Sequence, residues 1–415
     1  MKTWITYLTA TLFGLASTLL LGQFAVYGNL VQSITSVCIQ LGGFILIPIV
    51  FITFAAAVAS LRKDKLGGKM ALSTILWAIL STIILSLLGV FLFLLIPTVF
   101  PATSTAGSST SAVVTYIEAI RKSTTIAFKP INPFYTLASA QNLLLPIVLM
   151  AWLFGYFLKP SSEIIRPAYV TMNSFSEIMY KMSSTFTLFS FAFVYFASAS
   201  FFAILQSEGT IFVSAKFVFS LILVALIALL VILPLLFGLV TKFKLNPYRI
   251  LYRSLAVMLA GLFSANIFFA SPIALSLARK NNGVQKRISS TTIPMNVIFS
   301  RGGSALIATF STVSLIYATT NMIPSIGLLI TIAMVSALIS FISSAYLGYE
   351  VFFITYLTFK LLGIDLHGSE MTMIGLLPLL CGFGTMIDSY IALLGSSVTS
   401  CALNTNSYVL YEDIL

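Results

Sequence analysis

The sequence consists of long apolar segments separated by short polar connectors. A helix needs about 20 consecutive apolar residues to span the hydrocarbon core of a bilayer. Segments of about this length recur from one end of the chain to the other, so the pattern predicts an all-α polytopic membrane protein. The apolar segments are 4–24, 42–61, 71–98, 142–158, 183–206, 211–241, 288–317 and 323–346.

Two later apolar segments are interrupted by residues that break helices. Residues 248–281 contain Ala-Ser-Pro at 270–272 and are bounded by basic residues, and residues 327–362 are interrupted at 343–350. Non-helical backbone at membrane depth is tolerated only where protein or a water-filled cavity surrounds it. We therefore predict two re-entrant helical hairpins, which are typical of a solute site near the middle of the membrane. The alternative is a pair of kinked ordinary spans.

Composition supports the membrane assignment, because 59% of the 415 residues are hydrophobic and only 8% are charged. The net charge of +11 raises the question of a nucleic-acid partner, but fifteen of the 22 Lys and Arg residues lie in connectors. If the N-terminus is cytoplasmic, all of these connectors are cytoplasmic, which is the positive-inside pattern. We expect an inner-membrane protein with both termini cytoplasmic and no nucleic-acid partner. The fifteen are Lys2, Arg62, Lys63, Lys65, Lys69, Lys159, Arg166, Lys242, Lys244, Arg249, Arg253, Arg279, Lys280, Lys286 and Arg287.

The sequence offers little material for an enzyme active site or a resident metal. It contains one His and three scattered Cys, and it has no paired carboxylates or metal-ligand spacing. A nucleophile with its base, or a set of metal ligands, is the minimum for most catalytic sites. We expect a protein that is not an enzyme and that carries no cofactor.

Four stretches resemble, in order and spacing, the dicarboxylate/amino acid:cation symporters, the glutamate-transporter family. The resemblance covers essentially the full length of the chain. The stretches are Ile47-Pro48-Ile49-Val50-Phe51 with Ala59-Ser60-Leu61, Asn132-Pro133-Phe134 with Leu145-Pro146, residues 272–306, and Gly384-Thr385-Met386 leading to Gly395.

The resemblance implies eight transmembrane helices plus two re-entrant helical hairpins, a homotrimer, and an elevator motion of a transport domain against a fixed scaffold. It places scaffold spans 1 and 2 in residues 1–69, and span 3 of the transport domain with an outer loop in 70–113. Scaffold spans 4 and 5, which form the trimer contacts, fall in 114–206. Span 6, both hairpins and spans 7 and 8 make up the rest of the transport domain in 207–415.

The sodium-binding positions of the family are altered in this chain. The seventh-span motif Asn-Met-Asp-Gly-Thr appears here as Ser-Arg-Gly-Gly-Ser at 300–304, so that Gly302 replaces a sodium-ligating Asp. Ala392 replaces a second such Asp, and Trp77 and Leu80 replace a Tyr and a Thr. Hard cations need several oxygen ligands, carboxylates above all. We expect transport that does not depend on sodium.

Arg301 and Asp388 are opposite charges in two spans that the family fold packs together. An unpaired charge in the membrane is costly, so we predict that Arg301 replaces bound sodium and pairs with Asp388. Thr385, Asp388 and Ala392 follow i, i+3, i+7 spacing and share a helix face. The alternatives are an Arg301 side chain that reaches the membrane interface and an Asp388 held by helix hydroxyl groups.

The solute pocket that the resemblance implies is altered too. Cys381 aligns with the Asp that holds the ammonium group in amino acid carriers, and Gly384 aligns with the Arg that holds acidic side chains. The cavity should suit a solute that is bulkier or less charged than aspartate. Arg301 is also a candidate anchor for a carboxylate, because its planar guanidinium group can donate two hydrogen bonds to one carboxylate. The candidate substrate-binding residues are Asn266, Ser271, Arg301, Ser304, Ser344, Cys381, Gly384, Thr385 and Asp388.

Glu350 and Asp388 are the candidates for proton coupling, because an apolar cavity favours the protonated form of a carboxyl group. For Glu350 the alternative is a solvated residue at the hairpin tip. We expect a secondary active transporter of a small organic solute, either a carboxylate or an amino acid. The alternatives are a family-typical sodium symporter, and an anion-conducting channel or a sensor on the same fold.

Overall fold

A computed structural model of the chain describes residues 2–101, 118, 144–159, 161–207, 215–343, 347–364, 370–405, 407, 409 and 414. In these ranges all regular secondary structure is helical. The helices are α1 (Thr3–Leu21), α2 (Ala25–Lys63), α3 (Gly67–Leu95), α4 (Leu144–Phe157), α5 (Arg166–Ser207), α6 (Ala215–Ile227) followed by a π-helical turn (Ala228–Ile232), α7 (Leu233–Thr241), α8 (Pro247–Ser264), α9 (Ile267–Lys280), α10 (Lys286–Phe299), α11 (Gly302–Thr320), α12 (Ile326–Ser340), α13 (Glu350–Leu362), α14 (Glu370–Gly375) and α15 (Leu377–Ala402).

Seven helical stretches in the described part of the chain are long and apolar enough to cross a membrane. The prediction of an all-α polytopic membrane protein is therefore confirmed, whereas the count of eight spans stays a prediction. Two apolar helices, α4 and α12, are shorter than this limit. The seven stretches are Thr3–Leu21, Val26–Lys63, Gly67–Leu95, Arg166–Gln206, Ala215–Thr241, Lys286–Thr320 and Leu377–Ala402.

The helices pack in two groups that meet along α9 and α10 and also where α8 contacts α1 and α5. In the first group, α5 lies along both α1 and α2, and α4 packs on α2. In the second group, α11 is surrounded by α3, α12, α13 and α15, while α8 packs on α15. Helices α9 and α10 contact α2 as well as α15, so they connect the two groups. Helices α11 and α15 are largely buried, and the charged residues discussed below lie in α15, at the start of α13 and directly before α11.

The first predicted hairpin is interrupted at Ala265 and Asn266. Ala265 adopts a left-handed conformation with φ of 46°, and the Asn266 side chain caps α9 by accepting hydrogen bonds from the backbone N–H of Phe268 at 2.9 Å and of Phe269 at 3.4 Å. Helices α8 and α9 then pack against each other. An asparagine directly before the first helical residue provides the acceptor that the free N–H groups at the start of the helix need.

The prediction that this interruption lies at 270–272 is wrong. Pro272 is inside α9, and its carbonyl oxygen also accepts a hydrogen bond from Ser183 Oγ at 2.6 Å. A proline removes only its own N–H from the helical ladder. The chain reverses instead where a left-handed residue ends one helix and a capping residue begins the next.

The second predicted hairpin joins α12 to α13 through residues 341–349, close to the predicted interruption at 343–350. Gly348 has φ of 83°, which favours glycine, and its N–H donates to Glu350 Oε2 at 3.0 Å. The two helices pack against each other. Residues 344–346 of this turn lie outside the described residues, and the entry of either hairpin into the membrane stays a prediction.

Candidate functional site

A third interruption in the helical structure places Arg301 at the centre of the second group of helices. Helix α10 ends at Phe299, α11 begins at Gly302, and Ser300 and Arg301 are non-helical between them. The Arg301 side chain is fully buried. This burial contradicts the alternative in which Arg301 reaches out to the membrane interface. The groups that surround the guanidinium therefore determine what it can pair with or bind.

Asp388 lies in α15 and binds the N-terminus of α11. Its Oδ1 atom accepts hydrogen bonds from the backbone N–H of Gly303 at 2.6 Å and of Ser304 at 3.3 Å, and Oδ2 accepts from Ser304 Oγ at 2.6 Å. The first N–H groups of a helix have no partner within the helix, and the helix dipole favours a negative charge there. Asp388 therefore acts as a cap supplied by a neighbouring helix.

Glycine is what allows α11 to approach α15 so closely. A Cβ atom at Gly303 would lie 2.6 Å from Ile387 Cβ and 2.9 Å from the Asp388 backbone nitrogen, which is shorter than any ordinary contact. Gly384 faces Ser304 in the same way, since a Cβ there would lie 3.2 Å from both Cα and Oγ of Ser304. These two glycines bring the α11 backbone within hydrogen-bonding distance of the Asp388 carboxylate.

Glu350, the first residue of α13, is the second carboxylate of the cluster. Its side chain is fully buried, so the alternative of a solvated tip residue is wrong. Cys381 is adjacent to it, and Thr385, one turn further along α15, donates its hydroxyl to the Cys381 carbonyl oxygen at 2.7 Å. The second hairpin thus contributes a charge to the same cluster as α11 and α15.

The Arg301 guanidinium group lies between the two carboxylates without a direct hydrogen bond to either. Nη1 is 3.6 Å from Asp388 Oδ2 and 3.7 Å from Glu350 Oε1. Hydrogen bonds between nitrogen and oxygen fall at 2.7–3.2 Å. Among the described residues, none of the three guanidinium nitrogens has a hydrogen-bond partner, and neither has Glu350 Oε1. The carboxylates thus balance the charge of Arg301 and leave its donors free.

Apolar side chains and a backbone oxygen surround Gly302, the position at which the family resemblance implies a sodium-ligating Asp. A Cβ at Gly302 would lie 2.9 Å from Leu85 Cδ1, 3.1 Å from Ile391 Cδ1 and 3.2 Å from a backbone oxygen of α3. Trp77 is buried beside them and donates its indole N–H to the Ile391 carbonyl oxygen at 3.1 Å. A larger side chain at this position would have to displace the ends of the Leu85 and Ile391 side chains. The described residues contain no group of three or more His, Cys, Asp or Glu side chains that could hold a metal ion.

Two other predicted substrate-binding residues, Asn266 and Ser271, use their side chains for contacts outside this cluster. Asn266 uses its side-chain oxygen to cap α9, and Ser271 donates to the Ile267 carbonyl oxygen within that helix. Ser271 faces α2 and α10, where it lines a narrow apolar cavity. Ser344 lies outside the described residues.

The sequence interpretation missed the backbone donors of the cluster. The N–H groups of Gly303 and Gly348 orient Asp388 and Glu350 respectively. The available signal was the position of these glycines, one two residues after Arg301 and the other two residues before Glu350. A glycine near a buried charge often marks a close approach of the backbone.

Several apolar helices around a buried charge cluster, with the cluster at an interrupted helix, define a membrane transport protein by class. The comparison with protein families agrees. The family model described as "Sodium:dicarboxylate symporter family" matches residues 4–404, and the chain belongs to that family. The predicted resemblance is therefore confirmed. A comparison with curated proteins finds no match. The family is one of transporters and not of enzymes, and it implies a small-molecule solute and a membrane environment.

Proposed function

We propose that this protein is a secondary active transporter of a small organic solute with a carboxylate group, either a carboxylic acid or an amino acid, and that it works without sodium. The observation that carries the proposal is the fully buried Arg301 side chain, whose guanidinium nitrogens lack hydrogen-bond partners among the described residues. Buried donors without partners are rare and costly. A solute carboxylate would satisfy them, because it matches the fork of a guanidinium group with two parallel hydrogen bonds.

In this proposal Arg301 replaces the sodium ion of the family. Its fixed positive charge lies 3.6 Å from Asp388 Oδ2, where it balances a carboxylate that also caps α11. Gly302 and Ala392 lack the oxygen ligands that sodium requires. The close packing around Gly302 supports the same conclusion, since Leu85 and Ile391 occupy the space that a ligating side chain would need.

Charge balance supports coupling of transport to a proton. The cluster holds one guanidinium group and two carboxylates, and a bound solute carboxylate would add a third negative charge. Excess charge in a buried site is costly, and uptake of a proton with the solute would return the cluster to the net charge that it has without solute. Asp388 accepts three hydrogen bonds and Glu350 accepts one. We therefore assign the coupled proton to Glu350.

We further propose that the two packing groups move against each other as in an elevator. Residues 1–69 and 114–206 would form the scaffold and the contacts of a homotrimer, and residues 70–113 and 207–415 would form the transport domain. The packing of α2 with α4 and α5, and of α11 with α3 and α15, supports this division. We place the protein in an inner membrane with both termini cytoplasmic, on the basis of the positive-inside pattern.

A thermal-shift screen of the purified protein against carboxylates and amino acids, with and without sodium, tests the binding part of the proposal. Solutes with a carboxylate should raise the Tm equally in both conditions. Arg301→Gln should lose this shift, whereas Lys360→Gln, a change at a residue near the end of α13, should keep it. A panel in which no carboxylate raises the Tm of the wild-type protein would exclude the proposed substrate class.

Flux measurements in proteoliposomes distinguish a transporter from an anion-conducting channel or a sensor. A transporter should accumulate the solute above its outside concentration, and its uptake should saturate. Uptake should follow an inward proton gradient, and Glu350→Gln should retain solute exchange while losing this dependence. Flux that never exceeds equilibrium and rises linearly with concentration would favour the channel.

A further inference from the structure

A second polar cavity, of about 370 Å³, lies between the two packing groups and away from Arg301. It is bounded by α2, α5 and the start of α10. Its volume falls within the usual range for ligand sites, about 300–1,000 Å³. The polar residues that line it are Thr53 and Ser60 from α2, Tyr169, Asn173 and Ser176 from α5, and Gln285, Lys286, Arg287 and Ser290 at the start of α10.

Two buried hydroxyl groups in this cavity have no hydrogen-bond partner among the described residues. Thr53 and Ser176 are each only 1% exposed, and their hydroxyl oxygens are buried and unpartnered. Other serines in α5 behave differently, since Ser174 donates to a carbonyl oxygen of its own helix. Buried polar groups nearly always find a partner, and a polar ligand in the cavity would provide one if the two hydroxyls rotate toward it.

The charges around the cavity favour an anion. Lys286 pairs with Glu177 at 3.0 Å, and Arg287 pairs with Asp64. Arg279 lies behind them and donates to Ser290 Oγ, which also lines the cavity, at 2.5 Å. These three cations face two carboxylates. The cavity also lies at the N-terminus of α10, which has no side-chain cap and which attracts negative charge.

We infer that this cavity binds a phosphate group, and that the phosphate belongs to an anionic phospholipid. Two cations and a helix N-terminus line the cavity, as a phosphate group requires, and the two unpartnered hydroxyls lie in its wall. The cavity is larger than a free phosphate needs. It also lies at the basic end of the helices, where basic pockets between helices bind the headgroups of anionic lipids. Because it touches both packing groups, a bound lipid would hold α10 against α2 and α5.

The inference does not depend on the proposed solute or on sodium, so it can be tested separately. The full-length protein is reconstituted in nanodiscs of phosphatidylcholine, and retention of added phosphatidylglycerol is measured by native mass spectrometry. Inorganic phosphate and glycerol phosphate are titrated in parallel to distinguish a lipid from a free phosphate. The wild-type protein should retain phosphatidylglycerol selectively and bind the free phosphates much more weakly.

Variants at one ion pair separate a ligand site from a structural contact. Lys286→Gln removes a proposed phosphate ligand and should weaken lipid retention about tenfold. Glu177→Gln frees Lys286 from its partner and should strengthen retention. A purely structural ion pair would be disrupted equally by the two changes, and lipid retention would then respond to both in the same direction.

The buried hydroxyls provide the second test. Thr53→Val and Ser176→Ala together should weaken retention severalfold, and Ser174→Ala, on the same helix but outside the cavity lining, should leave it unchanged. Equal retention of phosphatidylcholine and phosphatidylglycerol, with no binding of free phosphate, would overturn the inference. Binding of free phosphate as tight as that of the lipid, with the same response to the variants, would support the phosphate site and overturn the lipid as its source.

Discussion

Two clusters of ion pairs in the described part of the chain each contain two carboxylates, one cluster around Arg301 and the other around Lys286 and Arg287, and they differ sharply in burial. Around Arg301 the side chains are 0% exposed, and the ion-pair distances are 3.6 and 3.7 Å. Around Lys286 and Arg287 the side chains are 30–49% exposed, and the Lys286–Glu177 distance is 3.0 Å. The shorter ion pair is therefore the more solvated one.

This difference shows why distance alone does not rank ion pairs. Water screens the exposed pairs, and pairs of that kind contribute about 0–1 kcal/mol. In the buried cluster the removal of one partner leaves the other charge without compensation, which costs about 3–5 kcal/mol. The Arg301 cluster is thus both the more fragile part of the structure and the part with donors left free for a ligand.

The largest effect is expected for Asp388→Ala. The change leaves the Gly303 N–H, the Ser304 N–H and the Ser304 hydroxyl without an acceptor, at about 1–3 kcal/mol for each unsatisfied buried group, and removes one of the two carboxylates near Arg301. The free energy of unfolding should therefore fall by about 3–5 kcal/mol. Chemical denaturation in detergent measures it. Asp388→Asn is the control for the cap, because it keeps an oxygen acceptor for the Gly303 N–H, and it should be less damaging. A loss of under 1 kcal/mol for Asp388→Ala would contradict this expectation, because it would mean that the buried pair contributes no more to stability than an exposed ion pair does.

A double-mutant cycle with Arg301→Ala and Asp388→Ala measures the coupling directly. The double variant should be less destabilised than the sum of the single variants, by about 0.5–3 kcal/mol, because each single variant already loses the Arg301–Asp388 interaction, which the sum therefore counts twice. Arg301→Met restores the family residue and should not restore sodium coupling, since Gly302 and Ala392 still lack carboxylates. Additive effects in the cycle would mean that the two side chains do not interact.

Gly303→Ala tests the backbone that holds the buried cluster together. The added methyl group would meet Ile387 and the Asp388 backbone, so α11 must move away from α15, at a cost of about 1–3 kcal/mol. Gly327→Ala in α12 is the matched control, because a Cβ there meets nothing within 4 Å. The thermal unfolding of the two variants is compared. Equal stability of the two would show that the close approach at Gly303 is not needed.

The smallest effect is expected at the exposed cluster. Lys286→Gln should change the free energy of unfolding by less than about 1 kcal/mol, and high salt should reduce the difference further. The measurement is made in detergent free of anionic lipid, so that a bound lipid does not contribute. A loss as large as that of Asp388→Ala would contradict the ranking by burial.

Much of the fold could be predicted from the sequence, because apolar length and interruption leave strong signals. The helical membrane class follows from the apolar segments, and the interruption between α12 and α13 lies close to its predicted place. The ends of the helices were harder to predict, since α2 and α5 extend well beyond the apolar segments 42–61 and 183–206. A search for apolar residues detects the part of a helix that lies in hydrocarbon and misses a polar extension.

The charge cluster could be predicted only in part. Arg301 and Asp388 stand out because ionisable residues are rare in such apolar sequence. The contribution of Glu350 depends on how the second hairpin packs on α11. A local sequence pattern cannot predict the contact between Glu350 and Arg301, because these residues are 49 positions apart. The misplaced interruption at 270–272 has a similar cause, because the proline was a stronger signal than the capping Asn266.

The central claim, that Arg301 takes the place of sodium, is tested most directly by calorimetric titration of the purified protein with a solute found in the thermal-shift screen. The titration is carried out once in sodium chloride and once in choline chloride at equal ionic strength. The account predicts the same Kd in both salts. A Kd at least about tenfold lower in sodium, which corresponds to about 1.4 kcal/mol of coupling, would contradict it.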